Sequence, residues 1–109
     1  MPLNSTAASV IENEIFEREA DLEDKAVKWA RVRGWYCRKY RTAGRRAAPD
    51  RIFIRGGHVL FVEFKRAGNL PTDQQRDELR QLHEAGADAI WLDSIEDFRA
   101  CLIAREGFK

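Results

Sequence analysis

The chain has 109 residues and a formal net charge of +1, and 44% of its residues are hydrophobic and 34% charged. These values exclude a disordered or membrane-spanning chain and are typical of one globular domain with a highly charged surface. No apolar run approaches the roughly 20 residues of a membrane helix, and the first residues lack the basic and apolar regions of a signal peptide. We therefore expect a single cytoplasmic domain over residues 1–109, with no membrane partner.

The charges are unevenly distributed along the chain. Residues 12–24 contain seven acidic residues and one arginine, whereas residues 31–46 contain seven basic residues and no acid. Three aromatic residues, Trp35, Tyr36 and Tyr40, are interleaved with the basic ones. Such a segment could neutralise phosphates and stack on unpaired bases. The alternative is a solvated loop with ordinary core aromatics.

A long amphipathic helix is predicted after a frayed segment over residues 1–8. Residues 9–12 have the Ser-x-x-Glu form of a capping box, and Gly34 would end the helix. Glu19 and Glu23 fall on or beside its apolar stripes, where an unpaired charge is costly to bury. One of them is therefore a candidate metal ligand; the alternative is that both are exposed acids.

A short edge strand over residues 36–41 leads through a loop into a predicted β-hairpin. Its strands, residues 51–55 and 58–65, are joined by Gly56-Gly57, and two glycines supply the positive φ angles of a two-residue turn. The second hairpin strand is apolar on both faces, so we expect it to be central and covered on both sides.

The hairpin fixes which residues lie opposite each other. With the turn at residues 56 and 57, residues n and 113 − n are partners, which places Asp50 opposite Glu63 and Lys65 on the same face as Glu63. Two carboxylates without histidine or thiol ligands suit Mg²⁺ or Mn²⁺, and a lysine beside them suits phosphodiester hydrolysis. The alternative is that Asp50 caps a turn and that Glu63 and Lys65 form a plain ion pair.

The second half of the chain alternates helix and strand. A Thr-x-x-Gln capping box at residues 72–75 begins a helix that ends at Gly86, and a strand over residues 87–92 follows. Ser94 caps a last helix, which precedes a loose polar tail over residues 105–109. A strand, helix, strand crossover makes its two strands parallel. The order predicts an α/β fold: a mixed β-sheet, with an antiparallel hairpin and a parallel crossover strand, flanked by helices.

The motif of Pro49-Asp50 followed by Glu63-Phe64-Lys65 resembles that of the PD-(D/E)xK nucleases. Over about residues 17–99 the wider context resembles the VRR-NUC family in particular: a glutamate-bearing helix ending at Gly34, Lys39-Tyr40, Gly44-Arg45-Arg46 before the Pro-Asp pair, Pro71-Thr72 with Gln75, and Gly86. The resemblance implies a restriction-endonuclease-like core and a metal-dependent endonuclease that prefers branched or junction DNA, such as Holliday junctions. It also implies a phage or bacterial origin and, often, a homodimer.

The resemblance implies roles for individual residues as well. Asp50 and Glu63 would bind Mg²⁺ or Mn²⁺ together with the backbone carbonyl of Phe64, and Lys65 would be the catalytic lysine. A helix glutamate would complete the metal site, with Glu23 the better fit and Glu19 second. Gln75 should point toward the site as a further catalytic candidate; the alternative is a plain capping-box residue. The residues expected to hold phosphates are Lys39, Arg41, Arg45, Arg46 and Arg51. Ala47-Ala48 departs from the family, which often has a glycine before the Pro-Asp pair.

The predicted function is thus a DNA endonuclease with a divalent metal and no organic cofactor. Two alternatives use the same fold: a DNA-binding subunit that does not cut, and an RNA-processing nuclease. A homodimer is expected because symmetric junction cleavage needs two sites at a fixed separation. Apolar residues near the start of the first helix, Ile11, Ile15 and Phe16, could supply its interface.

Overall fold

The computed structural model describes residues 19–41 and 47–107. In these residues the elements are α1 (Glu19–Val32), β1 (Tyr36–Lys39), β2 (Arg51–Arg55), β3 (His58–Phe64), α2 (Asp73–Glu84), β4 (Asp88–Leu92) and α3 (Ile95–Glu106). The predicted helix start at residues 9–12 and the apolar residues near it lie outside the described residues, as do the frayed segment 1–8 and Arg45 and Arg46.

The four strands form one mixed sheet in the order β1-β2-β3-β4. β1 pairs with β2 and β2 with β3 in antiparallel fashion, whereas β3 and β4 are parallel. β3 therefore occupies a central position, and β1 is an edge strand. The predicted α/β class, with its antiparallel hairpin, its parallel crossover strand and its flanking helices, is confirmed.

The hairpin has the predicted register. Arg51 pairs with Val62 and Arg55 with His58, so the two residue numbers of each pair sum to 113. Gly56 and Gly57 have φ angles of 58° and 83°, values that a residue with a side chain adopts only at a cost. The glycine pair thus sets the turn, and the turn sets the pairing of every residue along both strands.

The main core lies between one face of the sheet and helices α1 and α3. Leu60 and Val62 of β3 are fully buried there, as is Phe53 of β2. The rings of Phe53 and Phe98 are 5.2 Å apart between centroids, in a tilted arrangement. α2 packs against β4. None of the described helices is long and apolar enough to cross a membrane. Further members of this core are Leu22, Ala26, Val27, Ala30, Trp35, Cys37, Phe64, Leu92 and Leu102.

Helix ends follow the predicted caps, with one exception. Thr72 and Gln75 form the capping box of α2, and the Ser94 hydroxyl accepts the Asp97 N–H at 3.1 Å at the start of α3. The loose tail predicted from residue 105 is wrong for Arg105 and Glu106, which belong to α3. Both are held by ion pairs with residues far away in sequence, and a local pattern does not contain that information. β1 is also two residues shorter than the predicted strand over residues 36–41.

Candidate functional site

Asp50 is fixed at the point where β2 begins. Its backbone carbonyl accepts the N–H of Tyr40 at 3.0 Å, and its carboxylate atom Oδ2 accepts the N–H of Phe64 at 2.9 Å. If the hairpin register is continued by two residues, the ladder partner of Phe64 is Pro49. Proline has no N–H, so it cannot donate to the Phe64 carbonyl. The same extended register places Asp50 opposite Glu63, and the Phe64 carbonyl has no ladder donor from residue 49.

Glu63 and Lys65 project from the end of β3 on one face of the sheet. Their exposed fractions are only 4% and 9%, and the Lys65 ammonium Nζ lies 3.7 Å from Glu63 Oε2. The Lys65 N–H donates to the Leu92 carbonyl at 2.8 Å, which extends the pairing with β4 by one residue. A carboxylate and an ammonium are thus held in a buried position by backbone pairing on the β4 side.

Gln75 links the start of α2 to Glu63. Its Oε1 atom accepts the Thr72 N–H at 2.9 Å, and its Nε2 atom donates to Glu63 Oε2 at 3.0 Å. Because the Thr72 N–H occupies the carbonyl end of the amide, the donor end must face Glu63. Both interpretations of Gln75 made from the sequence therefore apply, since it is a capping-box residue that also points toward the acidic pair.

Burial and nearby negative charges act on both carboxylates. Burial, and then the charge of Asp50, raise the pKa of Glu63 to about 8, although nearby Lys65 opposes the shift. Burial also raises the pKa of Asp50; the hydrogen bond from Phe64 opposes this, and the charges of Glu23 and Glu19 add to it. The protein therefore holds two acids in a place where their negative charges are poorly compensated, which is the environment that a bound cation relieves.

Comparison with known proteins places these features in a family. No protein-family model matches the chain. A solved structure named "VRR_NUC domain" superimposes with a TM-score of 0.72 at 24% identity, covering 78% of this chain and 94% of its own. Another, "VRR_NUC domain protein", has a TM-score of 0.69 at 18% identity and covers 84% and 88%. The chain is also 37% identical over 78 residues to "Putative nuclease p44" of Acyrthosiphon pisum secondary endosymbiont phage 1, covering 71% of this chain and 84% of that protein. The chain belongs to the VRR-NUC family of nucleases.

In this VRR-NUC nuclease, neither candidate for the third acid joins Asp50 and Glu63. Glu23 forms an ion pair with the guanidinium of Arg51, and both side chains are largely buried. Glu19 is exposed and accepts the Arg66 N–H at a distance of 3.5 Å. Among the described residues, no three His, Cys, Asp or Glu side chains form a group that could hold a metal ion. The structure thus brings two predicted acidic ligands together and pairs the third with a predicted phosphate-binding residue.

The predicted phosphate-binding residues have different surroundings. Lys39 and Arg41 are exposed on either side of Tyr40, which is bonded to Asp50. Arg51 faces Glu23 instead of solvent, while Arg45 and Arg46 lie outside the described residues. Lys39 and Arg41 are therefore accessible to a ligand, although alternation along β1 points Lys39 to the face opposite Tyr40.

One contact beside the site was not predicted from the sequence. The ring of Tyr40 contacts that of Phe61 edge to face, with 4.9 Å between centroids. Phe61 precedes Glu63 by two residues on the same face of β3, so this contact forms a wall of the site. Alternation along β3 places Phe61 correctly, but no local pattern identifies Tyr40 as its partner.

Proposed function

We propose that this VRR-NUC nuclease is a Mg²⁺- or Mn²⁺-dependent endonuclease that hydrolyses phosphodiester bonds in branched DNA, of the type that resolves Holliday junctions. The observation that supports it is the half-buried Asp50 next to the buried Glu63 and Lys65, with the pKa of Glu63 raised to about 8. Lys65 offsets the charge of these two acids only in part. Acids needed only for stability would be fully paired, because uncompensated buried charge is destabilising.

The donor atoms fit a hard divalent cation. Asp50 and Glu63 offer carboxylate oxygens, and the Phe64 carbonyl faces the same strand neighbour as its N–H, which donates to Asp50. Oxygen ligands without thiol or imidazole favour Mg²⁺ or Mn²⁺ over zinc. Such a cation, when bound, would supply charge neutralisation at the phosphate and a more acidic water. These three residues would hold it, and Glu23 could join them only after leaving Arg51.

The other side chains of the site have roles that follow from their contacts. The Lys65 ammonium lies close enough to Glu63 to orient a water or to stabilise the negative charge that develops on a phosphate. Gln75 holds Glu63 in one orientation through its amide N–H. We assign Lys65 to catalysis and Gln75 to positioning. Lys39 and Arg41 would hold the flanking phosphates.

Cleavage assays test the proposal. The purified protein is incubated with a four-way junction, a flap, duplex DNA, single-stranded DNA and an RNA hairpin, each with Mg²⁺, with Mn²⁺ or with chelator. We expect the junction to be cut in the presence of metal alone, and Asp50→Ala and Lys65→Ala to be inactive. Lys28→Ala, at an exposed lysine of α1, is the matched control and should cut normally.

Other outcomes would contradict the proposal in distinct ways. Normal cutting by Asp50→Ala would show that the acidic pair is not the site. Binding without cutting under every metal condition would favour a DNA-binding subunit, and preferential cutting of the hairpin would favour an RNA-processing nuclease. A monomeric mass by light scattering at micromolar concentration would contradict the homodimer that we propose for symmetric junction cleavage.

A further inference from the structure

Beside the site, β1 presents a row of side chains that the proposed chemistry does not use. Successive residues of a strand point to opposite faces, so Tyr36, Arg38 and Tyr40 share one face while Cys37, which is 1% exposed, is buried on the other. The guanidinium carbon of Arg38 lies 4.4 Å from the centre of the Tyr36 ring, which places both side chains on the same surface. Tyr36 is 51% exposed, a large value for an aromatic residue of a strand.

The row leads to the acidic pair. Tyr40 donates its N–H to the carbonyl of Asp50 at 3.0 Å, and its ring contacts Phe61, which lies on the same face of β3 as Glu63. A ligand that lies along the row from Tyr36 therefore reaches the carboxylates at its far end. From Tyr36 to Tyr40 the distance along the strand is about 13 Å, which is long enough to contact a few successive nucleotides.

The free edge of β1 is blocked to another strand. The carbonyl of Cys37 accepts hydrogen bonds from the guanidinium of Arg38 at 2.8 Å and from that of Arg31 at 3.2 Å. Charged side chains on an edge strand disfavour pairing with a further strand. The same two arginines add positive charge to the rim of the row, and residues 31–46 contain no acid.

We propose that Tyr36, Arg38 and Tyr40 bind an unpaired segment of the DNA substrate and lead it toward Asp50. The charge favours phosphates, and the exposed ring with its guanidinium offers flat surfaces on which bases stack. A base can reach such a surface only when it is not paired, since both of its faces are covered in a duplex. Junctions and flaps contain unpaired or easily opened bases. The inference rests on the proposed function and narrows its substrate class.

Binding measured without cleavage tests this inference. Fluorescence anisotropy in chelator follows a labelled oligo-dT of about 12 nucleotides and a duplex of the same length. We expect Tyr36→Ala to weaken binding of the oligo-dT about tenfold and Tyr36→Phe, which retains the ring, to bind normally. Arg38→Gln should weaken binding and make the negative slope of log affinity against log salt concentration shallower by about 0.7. Ile103→Ala is the matched control, because Ile103 is also 51% exposed and lies on α3.

Three results would overturn the inference. The first is normal binding of oligo-dT by Tyr36→Ala with a normal melting temperature. The second is an equal loss of oligo-dT and duplex binding, which would show that the row does not select unpaired bases. The third is dissociation of a dimer by Tyr36→Ala with unchanged oligo-dT affinity, which would make the face an interface between two copies. Binding as expected together with an inactive wild-type protein would instead contradict the nuclease proposal and leave the row intact.

Discussion

The two ends of β3 place acidic side chains in opposite electrostatic surroundings. At the end where β3 begins, Asp88 of the neighbouring strand lies 2.5 Å from Nε2 of His58 and accepts the Nε–H of Arg105 at 2.5 Å. Burial alone would raise the pKa of Asp88, but Arg105 and His58 outweigh it and hold the pKa below its ordinary value. At the end where β3 finishes, burial raises the pKa values of Asp50 and Glu63, and Lys65 compensates them only in part.

The difference separates an acid that stabilises the fold from acids that are available to a ligand. The ion pair between Asp88 and Arg105 joins β4 to α3 and stabilises the protein without any ligand. Burial and nearby negative charge oppose ionisation of Asp50 and Glu63 in the protein alone, and the cation that we propose for this site would offset that cost. Strongly perturbed carboxylates of the second kind are enriched at functional sites. Variants at the two ends should therefore change different quantities.

The largest expected effect is on cleavage by Asp50→Asn. We expect its single-turnover rate on a four-way junction to fall at least about 100-fold, because a neutral amide cannot compensate a cation or hold it against the phosphate. Its stability to urea should be unchanged or slightly increased, since the substitution removes repulsion with Glu63. Glu96→Gln, at an exposed acid in the first turn of α3, is the control and should cut at the normal rate. A normal cleavage rate for Asp50→Asn would show that the acids at the two ends of β3 do not differ in function.

The opposite pattern is expected for Asp88→Ala. The free energy of unfolding should fall by about 2 kcal/mol, because Arg105 and His58 both lose their partly buried acceptor. The molecules that remain folded should cut the junction at the normal rate. Urea titration followed by circular dichroism measures the loss, with Asp73→Ala, at an exposed acid of α2, as the control. A variant as stable as the wild type would show that the Asp88 pair does not stabilise the fold.

Much of the site was predictable because its determinants are local in sequence. Gly56-Gly57 fixes the turn, the turn fixes the register, and the register brings Asp50 to Glu63. The same register places Pro49 opposite Phe64, which gives a physical reason for a proline before the aspartate. The capping box at residues 72–75 could also be read locally, and it determines the direction of Gln75.

The contacts that were not predictable join residues that are distant in sequence. Glu23 and Arg51 are 28 positions apart, and Arg33 and Glu106 are 73 apart. Their pairing depends on how α1 and α3 lie on the sheet and on which rotamer each long side chain adopts, and neither is encoded in a local pattern. For this reason the identity of the third acid stayed open, and the end of α3 was mistaken for a loose tail.

A smaller effect is expected from Glu63→Gln, and its sign depends on pH. The pKa of Glu63 is about 8 in the folded protein and near its ordinary value of 4.5 when unfolded, so between these values the folded state binds the proton more tightly. Without metal, the stability contribution of this group therefore falls as pH rises from 4.5 to 8. The full shift corresponds to about 5 kcal/mol, but Glu63→Gln also loses the ion pair with Lys65. Because the glutamine cannot titrate, we expect the variant in chelator to be more stable than the wild type by about 1 kcal/mol at pH 8, roughly 4–8 °C in Tm.

The comparison at low pH completes that test. Near pH 4.5 the wild-type glutamate is protonated in the folded state, so the advantage of Glu63→Gln should disappear. Thermal unfolding by differential scanning fluorimetry at pH 5 and pH 8 measures both values. An advantage that is the same at both pH values would mean that the charge of Glu63 does not oppose folding.

The smallest effect is expected at Glu106, an acid of the stabilising kind close to the surface. Arg33 donates to it from Nε at 2.8 Å and Trp35 from Nε1 at 2.9 Å, and the bond from Arg33 contributes most to lowering the pKa of Glu106 to about 2. A lowered pKa reverses the sign found for Glu63: the contribution of Glu106 to the free energy of unfolding is complete above about pH 4.5 and is lost as pH falls toward 2.

Because Arg33 is 40% exposed, Glu106→Gln should cost only about 0.5–1 kcal/mol at pH 7. Urea unfolding followed by tryptophan fluorescence at pH 7 and pH 3 should show the variant less stable at pH 7, and the gap should narrow at pH 3. If the gap were constant with pH, the carboxylate charge of Glu106 would not be its source, and the rule that separates the two kinds of acid would fail at this position.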